Sequence, residues 1–172
     1  MRNRKQMREF DEKLTDEAEV LNRYLFQYKE CIGKKKSLER RMAEIRKEFD
    51  CPIPAIKMDG MPRGNSVGEG SAAALVYRLD EIETKINEQI DKATKLLANI
   101  MNVIDFLPEN SLERAIIENR YIDRMGWDRV CRENHASRSK TNRYWKKGLY
   151  TLLEFKKVKQ ILKEYEGALK NH

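Results

Sequence analysis

The sequence predicts an all-α protein: a long antiparallel helical (coiled-coil) hairpin followed by a small helix-turn-helix domain. Three observations carry that fold class. Of 172 residues only 8 are Gly and 4 are Pro, while 37% are charged, the composition of long solvated helices. Apolar residues recur at steps of three and four along two long stretches on either side of 51–70, which is the period of one helix face. Beyond Pro108 the pattern shortens into helix-sized pieces separated by Gly126 and by a serine-bearing turn.

The first stretch places Leu21, Tyr24, Tyr28, Cys31, Leu38, Met42, Ile45 and Phe49 on one stripe, interrupted only by Lys35. That is a heptad seam. Residues 51–70 hold three of the four prolines and four of the eight glycines, so continuous helix is excluded there and a long connection is expected. A second stripe runs through Leu75, Leu79, Ile82, Ile86, Ile90, Ala93, Leu97, Ile100, Ile104 and Leu107 until Pro108 stops it. Each arm would extend on the order of 45–50 Å at 1.5 Å per residue. Laid antiparallel, the arms bury each other's seams. So narrow a core predicts a partner for the hairpin, either a second copy, giving a homodimer or homo-oligomer, or the C-terminal domain. The expected domains are 1–108 (the hairpin with its 51–70 loop) and 109–172.

In the second domain, Asn110 with Glu113 three positions on predicts a capping box. Leu112, Ile116 and Tyr121 supply the helix face behind it. Gly126 breaks that helix, a short one follows over 127–133, and Ser137 is the expected N-cap of a further helix over 138–153. Helix, glycine break, short helix, tight turn and basic helix is the order of a helix-turn-helix unit.

Charge singles out the last of these helices. Net charge is +7, yet residues 1–110 hold 20 Lys/Arg against 20 Asp/Glu, and 111–172 hold 15 against 8. A positive excess confined to one segment is the footprint of a polyanion, and without a strongly apolar helix face beside it nucleic acid is favoured over membrane. Sorted by the 3.6 period, Thr141, Tyr144, Trp145, Gly148, Leu149 and Leu152 form an expected buried face. Arg138, Ser139, Asn142, Arg143, Lys146 and Lys147 form the polar one. Arginine forks onto guanine O6/N7 or phosphate, and asparagine pairs with adenine N6/N7. Early residues of such a helix reach base edges, so Arg138, Ser139, Asn142 and Arg143 are the expected readers. Lys146 and Lys147 are the expected backbone anchors, and Lys140 completes the DNA-binding set.

The stretch ERAIIENRYIDRMGWDRVCRENHASRSKTNRYWKKGLYTLL resembles the helix-turn-helix of sigma factor region four. It resembles more closely the small phage regulators of the RinA/ArpU type. The residues that carry the likeness are Arg120-Tyr121, Trp127, Ser137 and Gly148-Leu149, and DGMPRGNS at 59–66 is similar to the loop joining the two long helices in those proteins. Where their pattern has Leu-Gly, this chain has Asn134-His135, which predicts a turn displaced by one residue. Gly148 stands where Ala is usual. The resemblance implies a phage or prophage transcription regulator that binds double-stranded DNA, activates late genes and has host RNA polymerase as a further partner. Two other classes stay open. One is the small subunit of a phage terminase, a DNA binder of higher oligomeric order. The other is an interaction protein whose sigma-like unit contacts polymerase or its sigma factor.

Other chemistries find no support in the residue pattern. Cys31, Cys51 and Cys131 lack metal-ligand or disulfide spacing. His135 has no nucleophile or orienting acid at a recognisable spacing. Asp123 and Asp128 flank Gly126 as isolated acids, and GNSVGEG lacks the GKS/T of a phosphate loop. No enzyme activity, cofactor or metal is expected. The start MRNRKQMREFDEK has no apolar core for a signal peptide, and no run reaches the roughly 18 apolar residues of a membrane span. The expected location is the cytoplasm of a bacterial host, at the nucleoid.

Overall fold

The computed structural model describes residues 14–50 and 69–170, and among them every regular element is helical, with no strand. In chain order these are α1 (Asp16–Asp50), α2 (Glu69–Ile104), α3 (Leu112–Ile117), a π-helical turn (Glu118–Ile122), α4 (Trp127–Glu133), α5 (Arg138–Glu154) and α6 (Lys156–Lys170). Cys51 and the 59–66 motif lie outside the described residues. The connection expected over 51–70 ends earlier than its composition suggests, because α2 already starts at Glu69.

The described residues form two compact units, one of 14–30 with 94–170 and the other of 31–50 with 69–93. This grouping cuts across the expected boundary at 108/109. The second long helix ends at Ile104, four residues before the Pro108 expected to stop it, and the core does not end there: Leu21 and Leu25 of α1 and Ile100, Val103 and Ile104 of α2 share one buried cluster with Tyr121, Leu149 and Leu152. Full burial of an aliphatic side chain is worth about 1.5–3 kcal/mol. Those ends of the long helices are therefore held by the C-terminal helices. Edge-on contacts of Tyr24 with Tyr165, centroids 5.5 Å apart, and of Phe26 with Tyr121 at 5.0 Å extend the cluster.

The second unit is thinner. Cys31, Ile86 and Ala93 are buried there, and Cys31 Sγ donates to the Gln89 carbonyl at 3.3 Å. Leu38, Met42, Ile45, Leu75, Leu79 and Ile82 are only half-buried. Lys35, which interrupts the seam, pairs with Glu39 at 2.8 Å along its own helix.

Local chemistry explains most helix ends. Asp16, Glu17 and Glu19 fill the first turn of α1 and Lys47 lies in its last, each sign matching the helix dipole. The capping box expected at Asn110 is absent. Ser111 is the N-cap: its Oγ accepts from Arg114 N at 3.2 Å and donates to Pro108 O at 2.8 Å. With the cap one residue later, Glu113 is no longer placed to reach back, and it turns into the protein instead. Arg114 then spans the Pro108 corner, pairing with Asp105 at 2.6 Å and Glu118 at 2.7 Å. The π-helical turn over Glu118–Ile122 has no counterpart in the sequence reading. Asp123 N donates to Glu118 O at 3.1 Å, and Arg124 follows at φ 59, a left-handed residue that closes the turn before α4.

Candidate nucleic-acid interface

The turn ahead of α5 is built by backbone hydrogen bonds. His135 N donates to Arg132 O at 3.1 Å and Ala136 N to Cys131 O at 3.0 Å, the pair of bonds that defines a Schellman C-cap on α4. The left-handed residue this motif requires is His135, at φ 46, while Asn134 stays at φ −94, ψ 7. The displaced turn expected from Asn134-His135 is therefore not found. His135 is exposed and does the conformational job of a glycine. Ser137, at φ −63, ψ 156, caps α5 as its sequence position indicates, accepting from Lys140 N at 3.2 Å.

One face of α5 is locked into the first unit. Thr141, Gly148, Leu149, Leu152 and Leu153 are buried. Trp145 Nε1 donates to the Tyr121 hydroxyl at 2.9 Å, and that hydroxyl donates to Asn22 Oδ1 at 2.6 Å. Three elements, α5, the π-helical turn and α1, are thus joined through one buried phenol. Gly148 permits close approach to α3. A Cβ there would stand 2.6 Å from Ile117 Cδ1 and 3.3 Å from Glu113 Cβ.

The polar residues do not form one uniform face. Ser139, Lys140, Arg143 and Lys147 are exposed, whereas Asn142 and Lys146 are half-buried on the flank. Arg138 is exposed but engaged: its Nη1 lies 3.2 Å from Asp128 Oδ1, and its guanidinium stacks 5.2 Å from the Trp127 ring. Arg120 covers the same ring at 4.8 Å, and Trp145 meets it edge-on at 5.3 Å. Asp128 is thus not the isolated surface acid its sequence position suggested. Lys147 is tied to Glu113 at 2.5 Å. Burial acts to raise the Glu113 carboxyl, but its hydrogen bonds to Lys147 and to its own backbone, with the lysine charge, bring it below the usual value.

Tyr144 is the clearest departure from the expected faces. It is half-buried, lies outside the apolar cluster, and has Lys140, Arg143 and Lys147 at 5.9, 5.4 and 5.7 Å from its ring centre. Because its position falls at the edge of the buried arc, the ring leans into the cationic strip. The strip that results comprises Ser139, Lys140, Arg143, Tyr144 and Lys147. An open groove of about 180 Å³ elsewhere in this unit, with Val20 and Leu162 in its wall, has Glu17 facing Lys159 at 3.8 Å and so lacks a single sign of charge.

Among the described residues, no three His, Cys, Asp or Glu side chains come together as a metal site, and no helix is long and apolar enough to cross a membrane. Residues 71–152 match a family model described as a protein of unknown function (DUF1492). The similarity starts in α2 and ends within α5, so it takes in the turn and the cationic strip. No curated protein and no solved structure matches the chain.

Proposed function

We propose that the chain is a DNA-binding transcription regulator of phage or prophage type that engages duplex DNA through α5, with α4, the turn and α5 acting as a helix-turn-helix and the long helices as its coiled hairpin. The observation that carries this reading is the exposed strip of Lys140, Arg143 and Lys147 around Tyr144, on a helix whose only acid is Glu154. A Ser-capped start and a buried opposite face hold that strip rigid, which is what phosphate contact and base reading need. Arg143 is the leading reader. Lys140 and Lys147 suit the backbone, and Arg138 reaches a base or phosphate only by exchanging Asp128 for it. Activation of late genes, with host RNA polymerase as a further partner, belongs to this same proposal.

Binding to duplexes selected from a random pool, followed by fluorescence anisotropy, tests it. Affinity should fall steeply from about 50 to 200 mM salt, as counterion release demands. Arg143→Ala should cost roughly 1–3 kcal/mol at a selected site and relax its sequence, while Lys140→Ala should weaken all duplexes alike. Absent binding at low salt, or binding indifferent to salt, rules the proposal out. The interaction-protein reading has one observation in its favour: Arg138 and Lys147 already have partners in Asp128 and Glu113. Salt-independent binding to polymerase or its sigma factor, with no duplex binding, would select it.

A further inference from the structure

We infer that the second unit docks with a second copy of this chain, α1 of one protomer lying against α2 of the other. The apolar surface of this unit is wider than one helix pair covers. On α2, Val76 and Ile90 are 63% and 40% exposed, while Leu75, Leu79 and Ile82 are half-buried. Val76, Glu83 and Ile90 succeed one another at intervals of seven, with Leu79 and Ile86 between them. Ile90 lies at the outer edge of the stripe facing α1 and Val76 lies beside that stripe, so the apolar surface of α2 runs past what α1 covers. On α1, Leu38, Met42 and Ile45 likewise stay half-buried.

Charge says what covers this face. Over 31–50, α1 carries seven Lys/Arg against four Asp/Glu, and over 69–93, α2 carries three Lys/Arg against six Asp/Glu. Among the described residues of this unit, the ion pairs Lys35–Glu39, Arg40–Glu44 and Glu81–Lys85 all run along a single helix. None of these three pairs joins α1 to α2, although the two helices carry opposite net charge. A second copy offers an acidic helix to each basic one, and α1-to-α1 contact is opposed by like charge. Lys34 and Arg41, exposed seven residues apart beside the Leu38–Ile45 seam, and Glu83, exposed on α2, are the charges this arrangement would pair between the two copies. Nucleic acid fits this face poorly, since the exposed apolar stripe lies on the acidic helix.

The inference is independent of DNA binding and is tested on the full chain by sedimentation velocity and light scattering. Twice the 20.4 kDa chain mass is expected across about 1–50 micromolar. Val76→Glu, at an exposed position, should keep the helical circular dichroism and weaken association by about tenfold or more. Arg41→Glu and Glu83→Lys should each weaken it, and the double variant should restore it, because the swap returns opposite charges to the contact. A monomer throughout that range overturns the inference. So does a dimer indifferent to Val76→Glu and Arg41→Glu, a double variant no better than the singles, or a ring of higher order. Should Val76→Glu unfold, the wild-type mass and the charge-swap series still decide.

Discussion

Replacing Tyr121 by Phe removes one oxygen from the best-connected buried side chain of the first unit. The ring is fully buried, so the substitution keeps its packing and deletes two hydrogen bonds, one to Asn22 at 2.6 Å and one from Trp145 at 2.9 Å. A typical internal hydrogen bond contributes about 1 kcal/mol net, and a partner left buried and unsatisfied adds to that cost. Asn22 and Trp145 are half-buried, so water partly replaces the lost contacts, and the expected loss is about 2–3 kcal/mol. For a unit of roughly 100 residues this lowers Tm by about 10–15 °C. Both tryptophans, Trp127 and Trp145, lie in this unit, so urea unfolding followed by indole fluorescence reports it. A loss under about 0.5 kcal/mol, or no coupling with Trp145→Phe in a double-mutant cycle, would refute the reasoning. The same hydroxyl sets a pH limit. Burial pushes its pKa far above the ordinary value of 10.0, against the opposing pull of the Trp145 hydrogen bond and Arg120. The folded state therefore holds that proton more tightly than the unfolded chain. Its contribution is complete below pH 10 and lost as pH rises above it, and Tyr121→Phe should flatten that alkaline decline.

Four further outcomes are expected. His135→Gly should stabilise by about 0.5–1 kcal/mol in thermal unfolding, since relief of the left-handed strain exceeds the added unfolded-state entropy of glycine; a destabilised variant would contradict the role given to φ 46 at that residue. Gly148→Ala should destabilise despite better helix propensity, because its Cβ meets Ile117 Cδ1 at 2.6 Å in a packed core. Adding Ile117→Val, which deletes that methyl, should recover about 1 kcal/mol relative to additivity. The lowered Glu113 pKa means its pairing stabilises above the unfolded carboxyl value of 4.5 and is lost as pH falls through the folded one; Glu113→Gln should blunt that acid decline in a pH series of urea midpoints. Asp128→Asn should release Arg138 and raise duplex affinity with a steeper salt dependence in anisotropy titrations; unchanged affinity would show that the pair at 3.2 Å does not restrain the arginine.

The features legible in the amino-acid sequence are local. The two long apolar stripes, the Gly126 break, the Ser137 cap and the 138–153 helix, one residue short of its end at Glu154, all depend on residues within about one turn of each other, so period and capping chemistry suffice to find them. The choice between Asn110 and Ser111 as cap shows the limit of that reasoning, because both are good caps and the partner that Glu113 takes instead, Lys147, lies 34 residues away. Tertiary structure alone decided which cations of α5 stand unengaged toward solvent. Arg138 is held by Asp128 ten residues earlier, and Tyr144, at the rim of the buried arc, leans to whichever side its neighbours leave open. Tyr121 finds Asn22 across 99 residues. Helical period says which face a residue occupies but not what lies opposite it, and the partner across a helix interface is set by packing that no single segment encodes. For the same reason the apolar period shows where α2 runs out near Ile104, while the core continues past it into α3, α5 and α6.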